Sequence, residues 1–120
     1  MQSEMRNLSE RLLEFAANII KLVVRLNKTG HGRHIGGQLT RSATSAGANY
    51  EEACSGESRA DFIHKLQLVL KELRESFYWL RLIKKAGLIP NTDSKLSALL
   101  QEAKELTNII AKSIVTAKKK

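Results

Sequence analysis

Apolar residues recur every three or four positions along four stretches of the chain, which is the spacing of amphipathic helices. The predicted helices cover about residues 9–28, 36–54, 58–86 and 93–117. Asn7 with Glu10 resembles a capping box at the start of the first helix. The interval 29–37 contains four glycines and predicts a loop. Four helices with short connections pack most simply up and down, so we expect one all-α four-helix-bundle domain over residues 1–120.

Local sequence signals mark the ends of the third and fourth helices. Ser58 followed by Asp61 fits a capping box, and Gly87 supplies a C-terminal stop for the third helix. Thr92 and Asp93 are both suitable N-caps for the fourth helix. A run of lysines ends the chain, where cations offset the helix dipole.

Two helices have unusual faces. The centre of the second helix, residues 42–48, contains only small side chains, which would let a neighbouring helix approach its backbone closely. The third helix carries more apolar residues than one face needs, with Leu68, Trp79 and Leu82 widening the arc. Such a helix is either central in the bundle or in contact with another subunit, and in the second case this arc would be the subunit interface.

Composition restricts the function classes. The 120 residues contain 20 Lys and Arg against 12 Asp and Glu, a net charge of +8, which indicates an anionic partner, most commonly nucleic acid. The single cysteine, Cys54, excludes an internal disulfide and a cysteine-rich zinc site. A polar N-terminus and the lack of a long apolar run predict a soluble, cytoplasmic protein with no membrane role.

Up-and-down topology would gather much of the positive charge at one end. The end of the first helix, the first loop, the end of the third helix and the start of the fourth would meet there. We call this end the basic pole, and its residues are Lys21, Arg25, Lys28, Arg33, Arg81, Lys84, Lys85 and Lys95. Only Asp93 opposes them. The basic pole predicts phosphate contacts, although helix dipoles also favour cations in last turns. Aromatic residues do not interleave with these cations in sequence, which argues against stacking on single-stranded bases.

No catalytic constellation is evident. His31 and His34 flank Arg33 without a third ligand nearby in sequence, so we predict neither a metal nor a cofactor. Polar residues on the second and third helices include carboxylates that would suit acid–base chemistry. An ion-pair network that fixes helix register is the preferred interpretation. We therefore expect no enzymatic activity and no small-molecule substrate.

The second and third helices carry a family pattern. Its segments are Gln38–Ala43, Ser45–Ala53, Asp61–Leu66, Leu70–Glu72, Glu75 and Tyr78–Leu80. They resemble the four-helix-bundle proteins known as 23S ribosomal RNA intervening-sequence proteins, and the resemblance covers roughly residues 9–116. It implies a left-handed bundle that assembles into a five-membered ring. The resemblance also implies structural or interface roles for five residues, which are Arg41, Asn49, Glu52, Lys65 and Glu72.

The resemblance also implies two kinds of partner. Some members of the family are encoded within large ribosomal RNA genes. A related branch serves diversity-generating retroelements, where it binds a reverse transcriptase and its RNA. Our first hypothesis is a non-enzymatic homopentamer that binds structured RNA, or an RNA–protein complex, through the basic pole. The second is a protein-interaction adaptor, for example for a reverse transcriptase, with no direct RNA role.

Overall fold

Four α-helices build the structure, a computed structural model that describes residues 2–56 and 58–119. The helices are α1 (Gln2–Val24), α2 (Gly30–Cys54), α3 (Arg59–Ala86) and α4 (Ser94–Lys119). This confirms the prediction of an all-α bundle. The last residue of the lysine run, Lys120, lies outside the described residues.

Neighbouring helices run antiparallel. Arg41 on α2 contacts Glu72 on α3, whereas Glu52, further along α2, contacts Lys65, earlier on α3. Each helix packs against the ones before and after it in sequence, and α1 also packs against α4, which closes the bundle. The result is an up-and-down bundle with extents of 47 × 22 × 20 Å.

The predicted apolar stripes meet along the bundle axis. All four helices contribute side chains that are fully buried, and the largest of these are Leu12, Phe15, Ile19, Leu39, Leu66, Leu73, Leu80, Ile83, Leu96, Leu106 and Ile110. Burying one such side chain contributes roughly 1.5–3 kcal/mol relative to leaving it exposed. This core fixes which face of each helix remains for polar and charged groups.

Two predicted boundaries are wrong. Helix α1 begins at Gln2, so the capping box predicted at Asn7 lies within the helix. Helix α2 begins at Gly30, so most of the predicted loop over 29–37 is helical. Thr29 is the N-cap, since its Oγ1 accepts a hydrogen bond from the Gly32 amide at 2.9 Å.

The glycines at the start of α2 serve close packing. A Cβ at Gly32 would overlap the carbonyl oxygen of Leu26, and a Cβ at Gly36 would lie 2.7 Å from Val23 Cγ1. The first turns of α2 therefore lie directly against the end of α1. Glycine costs a helix about 1 kcal/mol relative to alanine. That cost is offset here by the close packing of the two helices, which leaves no room for a side chain.

The small-residue centre of α2 has the role that its composition predicts. Ala43 and Ala46 are completely buried. A Cβ at Gly47 would lie 3.8 Å from the backbone of Leu12 on α1, which is ordinary van der Waals contact. The side chains along this face are small enough for α1 and α2 to approach each other closely.

The Ser58 cap, the Gly87 stop and one of the two candidate caps of α4 are confirmed, although only the serine half of the Ser58–Asp61 capping box forms among the described residues. Ser58 Oγ accepts from the Asp61 amide at 3.1 Å, and Gly87 ends α3 in the left-handed conformation with φ of 70°. Of the two candidate caps for α4, Asp93 is the one used, because its Oδ1 accepts from the Leu96 amide at 3.0 Å. These caps determine where α3 ends and where both helices begin.

Candidate nucleic-acid interface

The segments of the basic pole do lie at one end of the bundle. Arg25, just after α1, donates to Asp93 at the start of α4, with 2.7 Å between Nη2 and Oδ2. This contact, together with the Asp93 cap, holds the start of α4 beside the end of α1. It also neutralises one of the eight predicted cations.

The eight cations nevertheless fall into separate surfaces. Lys21, Arg25 and Lys95 line a groove of about 490 Å³ between α1 and α4. A second group, Arg81, Lys84 and Lys85, lies on the opposite side of α4. The remaining two, Lys28 and Arg33, lie around the α1–α2 turn, where Arg33 Nη1 donates to the Asn27 carbonyl at 3.2 Å. The structure therefore does not form one site from all eight.

The second group belongs to a groove between α3 and α4, which we call the α3–α4 groove. Its polar end has a volume of about 610 Å³ and is lined by four cations and three uncharged polar residues, with Phe77 and Leu100. The cations are Arg81, Lys84, Lys85 and Lys104, and the uncharged polar residues are Asn91, Ser97 and Gln101. No carboxylate lines it, whereas Glu14 and Glu102 line the α1–α4 groove.

The carboxylates of α3 are turned away from this groove. Glu72 and Glu75 point toward α2, where both accept from Arg41. Glu75 also accepts from Trp79 Nε1 at 3.2 Å. These hydrogen bonds, led by the one from Arg41, lower the pKa of Glu75 below its usual value. Glu75 therefore stays ionised and paired on the α2 side of α3.

The carboxylates of α4 are turned the other way, toward α1. Arg11 donates to Glu102 at 2.6 Å and to Glu105 at 3.3 Å. Hydrogen bonds from Gln101 and then Arg11 lower the pKa of Glu105. Helix α3 pairs its carboxylates with α2, and helix α4 pairs its carboxylates with α1. The groove that α3 and α4 share is therefore lined by cations without carboxylates.

The α3–α4 groove continues toward the middle of the bundle. This middle section, about 290 Å³, is lined by Arg74, Phe77, Tyr78, Arg81, Lys104, Thr107 and Asn108. The Arg81 guanidinium lies over the Phe77 ring, 5.9 Å from its centroid. In the folded structure aromatic residues do lie among the cations, so the expectation that they do not interleave is wrong. Helical spacing brings together residues that the linear sequence separates.

Sequence reasoning missed two cations of this groove, Arg74 and Lys104. The available signal was their register: Arg74 precedes Arg81 by seven residues, and Lys104 lies three residues after Gln101 and four before Asn108. Residues at such spacings share a helix face. Counting charges only near helix ends could not find them, because both lie well inside their helices.

The predicted polar pairing between α2 and α3 is present in the structure. Arg41 contacts Glu72 and Glu75, and Lys65 Nζ lies 3.2 Å from Glu52 Oε1. Asn49 differs, because its Nδ2 donates to the Ser45 carbonyl of its own helix at 2.9 Å. Arg41 and Lys65 therefore join the two helices, whereas Asn49 makes a local bond.

The apolar arc predicted on α3 is half-buried. Leu68, Trp79 and Leu82 are all partly covered within the single chain, and the Trp79 ring meets Tyr78 edge-on with 5.1 Å between centroids. The large apolar side chains that stay most exposed lie mainly on α1: Leu13 at 64%, Ile20 at 47% and Val24 at 64%. We call these three residues the α1 apolar face.

Residues 2–56 and 58–119 hold neither a metal-binding cluster nor a membrane-spanning helix. Within these ranges no three His, Cys, Asp or Glu side chains come together as a metal site. None of the helices there is long and apolar enough to span a membrane. Burial raises the pKa of the Cys54 thiol, which disfavours the reactive thiolate.

The fold and this surface together define a small four-helix bundle with a cationic groove. The model of the 23S rRNA-intervening sequence protein family matches residues 6–112, and the chain belongs to that family. A crystal structure of a protein of unknown function from the S23 ribosomal protein family of Bacteroides thetaiotaomicron is similar, with 34% identity and a TM-score of 0.81. The match covers 89% of this chain and 97% of that one. No curated protein matches the sequence.

Proposed function

We propose that the protein is a non-enzymatic bundle that assembles as a ring and binds structured RNA through the α3–α4 groove. The observation that carries the proposal is the segregation of charge on α3 and α4. Arg81, Lys84, Lys85 and Lys104 line one groove that no carboxylate enters. None of the four takes part in an ion pair among the residues that the structure describes.

Such a surface suits phosphates. Lys and Arg contact phosphate oxygens without reading sequence, and uncharged amides and hydroxyls such as Asn91, Ser97 and Gln101 add hydrogen bonds to phosphate and ribose. The last turn of α3 contributes two lysines, Lys84 and Lys85. The helix dipole alone would account for cations there, but it does not account for Lys104 in the middle of α4.

Charge reversal tests the proposal. The triple variant Arg81→Glu, Lys84→Glu, Lys85→Glu should weaken binding of a labelled RNA hairpin strongly in fluorescence anisotropy. Binding of RNA falls with salt by about 0.7–0.9 log units per log unit of salt for each phosphate contact. Three lost contacts should therefore flatten that slope by about 2 to 3.

A second triple variant controls for net charge. Lys112→Glu, Lys118→Glu, Lys119→Glu changes the net charge by the same amount at the other end of α4. We expect this variant to retain most of the affinity and the salt slope. Equal losses from both variants, or unchanged binding by the first, would reject the α3–α4 groove as the binding surface.

The α1 apolar face favours a second candidate, a protein-interaction adaptor. Leu13, Ile20 and Val24 expose apolar surface that neither α2 nor α4 covers. Partner complexes recovered after nuclease treatment would support the adaptor function, provided that the triple variant at Arg81, Lys84 and Lys85 forms them equally well. Complexes lost on nuclease treatment would support RNA binding.

A further inference from the structure

The α3–α4 groove changes character along its length. Its polar end carries Lys84 and Lys85 with uncharged polar residues, whereas its middle section carries an exposed aromatic ring, Tyr78, together with Arg74 and Lys104. Cations alone would serve any phosphate backbone. An exposed ring among them adds a surface on which a base can stack.

Tyr78 is available for such a contact. Its side chain is 54% exposed. It meets Trp79 edge-on, with ring planes 73° apart, and an edge-to-face pair occupies at most one face of the tyrosine ring. Trp79 is itself held by its hydrogen bond to Glu75, which also accepts from Arg41. The aromatic pair is therefore fixed in place from the α2 side of α3.

Phe77 has a different role. It is partly buried, and Arg81 already lies over its ring. Phe77 therefore holds the Arg81 guanidinium within this section of the groove, and Tyr78 is the ring left for stacking. Two more cations, Arg74 and Lys104, line the same section of the groove.

The section also contains a group that can pair with a base edge. Asn108 is exposed, and its amide makes no hydrogen bond among the described residues, so it retains donors and an acceptor. The Thr107 hydroxyl, in contrast, donates to the Ala103 carbonyl at 2.7 Å. Asn108 is thus the free polar group beside the ring.

We propose that this middle section binds an unpaired nucleotide, with its base stacked on Tyr78, its edge facing Asn108, and the adjoining phosphates contacted by Arg74 and Lys104. The inference rests on the proposed RNA-binding function and narrows it to RNA with unpaired bases. In a continuous duplex the base faces are covered by neighbouring pairs, so Tyr78 would have no base to stack on. Stacking is tolerant of base identity, so no sequence preference follows from it.

Two probes and two variants test the inference. The probes are a labelled, unstructured oligouridylate and a fully paired RNA duplex with the same number of phosphates. Tyr78→Leu removes the aromatic ring and keeps apolar bulk, whereas Tyr78→Phe keeps the ring. Loss of one stacked base should cost about five-fold or more in affinity. We expect that loss for Tyr78→Leu with the oligouridylate only, and near-normal binding by Tyr78→Phe.

The chain has one tryptophan, and it provides a direct signal. Because Trp79 lies 5.1 Å from Tyr78 between centroids, a base bound there should quench tryptophan emission. Oligouridylate should quench it in the wild type and not in Tyr78→Leu, and the duplex should not quench it. Equal effects of Tyr78→Leu on both probes, or on neither, would overturn the inference.

The charge-reversal triple separates the two proposals. If that variant loses both probes while Tyr78→Leu binds both normally, the groove binds RNA but takes no unpaired base. If the wild type binds neither probe, or the triple variant binds both normally, the proposed RNA-binding function itself is wrong. Unchanged thermal unfolding of Tyr78→Leu, expected because the residue is exposed, would exclude a folding defect.

Discussion

Single residues decide how closely α1 and α2 approach each other. Gly32 faces the carbonyl of Leu26, and Gly36 faces the side chain of Val23. Gly37, next in sequence, has no atom within 4 Å of the position where a Cβ would lie. Close packing therefore favours glycine at two of these three positions, whereas the third has no steric requirement for it.

Alanine substitutions should separate these positions. Gly32→Ala should destabilise the protein by more than about 1 kcal/mol, because the new Cβ meets rigid backbone. Gly36→Ala should cost less, since the side chain of Val23 can shift. Gly37→Ala is the matched control and should stabilise by about 0.4–1 kcal/mol through helix propensity and chain entropy. Urea unfolding followed by circular dichroism measures all three, and a stable Gly32→Ala would contradict the packing described here.

Asp93 makes stability depend on acid. The hydrogen bond from Arg25, followed by that from the Leu96 amide, lowers the pKa of Asp93 from 3.8 to about 2. A carboxyl whose pKa is lower in the folded state stabilises the fold above its unfolded value and loses that contribution as pH falls toward the folded value. The stabilising contribution of Asp93 should therefore be complete above about pH 4 and disappear toward pH 2.

Asp93→Asn tests this dependence, because asparagine keeps a capping oxygen without the charge. The melting temperature of the wild type should exceed that of the variant at neutral pH, and the gap should close between about pH 4 and pH 2. Circular dichroism melts across this range measure the gap, which isolates Asp93 from other carboxyls. A gap that is independent of pH would show that the charge on Asp93 contributes nothing.

At the scale of helices, the orientation of faces matters more than charge totals. Helix α4 carries Lys95 on its α1 side and Lys104 on its α3 side. Lys95 shares its groove with Glu14 and Glu102, whereas Lys104 shares its groove with cations. Both lysines are exposed, and both are positive, but only one lies in a region of unopposed positive potential.

This difference gives a single-residue comparison on one helix. Lys104→Glu should weaken RNA binding several-fold and flatten the salt slope by about one contact, or 0.7–0.9. Lys95→Glu changes net charge equally and should have a smaller effect on both. Anisotropy titrations at several salt concentrations make the comparison. A larger effect of Lys95→Glu would reject the α3–α4 groove and favour the basic pole, as defined from the sequence, as the binding surface.

The sequence predicts these helices well because each has a long apolar stripe, and its caps at Ser58, Gly87 and Asp93 are local signals. It fails at the start of α2, because glycine favours a loop unless a neighbouring helix excludes side chains. The same limit applies to the site. Charge near helix ends identified Arg81, Lys84 and Lys85, but only tertiary packing shows that Lys104 joins them and Lys95 does not.

At the scale of the whole molecule, the α1 apolar face and the α3–α4 groove lie on different helices. The α1 apolar face belongs to a helix that packs against α2 and α4, and the α3–α4 groove involves the helix diagonally opposite. A ring whose contacts involve the α1 apolar face and a surface other than this groove would leave the groove open on every subunit. Several grooves on one assembly would bind one RNA with higher apparent affinity than a single groove, through effective concentration.

Mutation of the two candidate interfaces connects assembly to binding. In the α1 apolar face, Ile20→Glu with Val24→Glu should convert the proposed ring into 13.4-kDa monomers in light scattering, since both side chains are exposed within the single chain. In the α3 arc, Leu68→Glu is the comparison. Monomers from Leu68→Glu alone would identify the α3 arc as the interface.

Monomers produced by the α1 substitutions keep the groove intact, so they should still bind RNA, but with weaker apparent affinity. Monomers that bind RNA as tightly as the ring would show that one groove supplies all of the affinity.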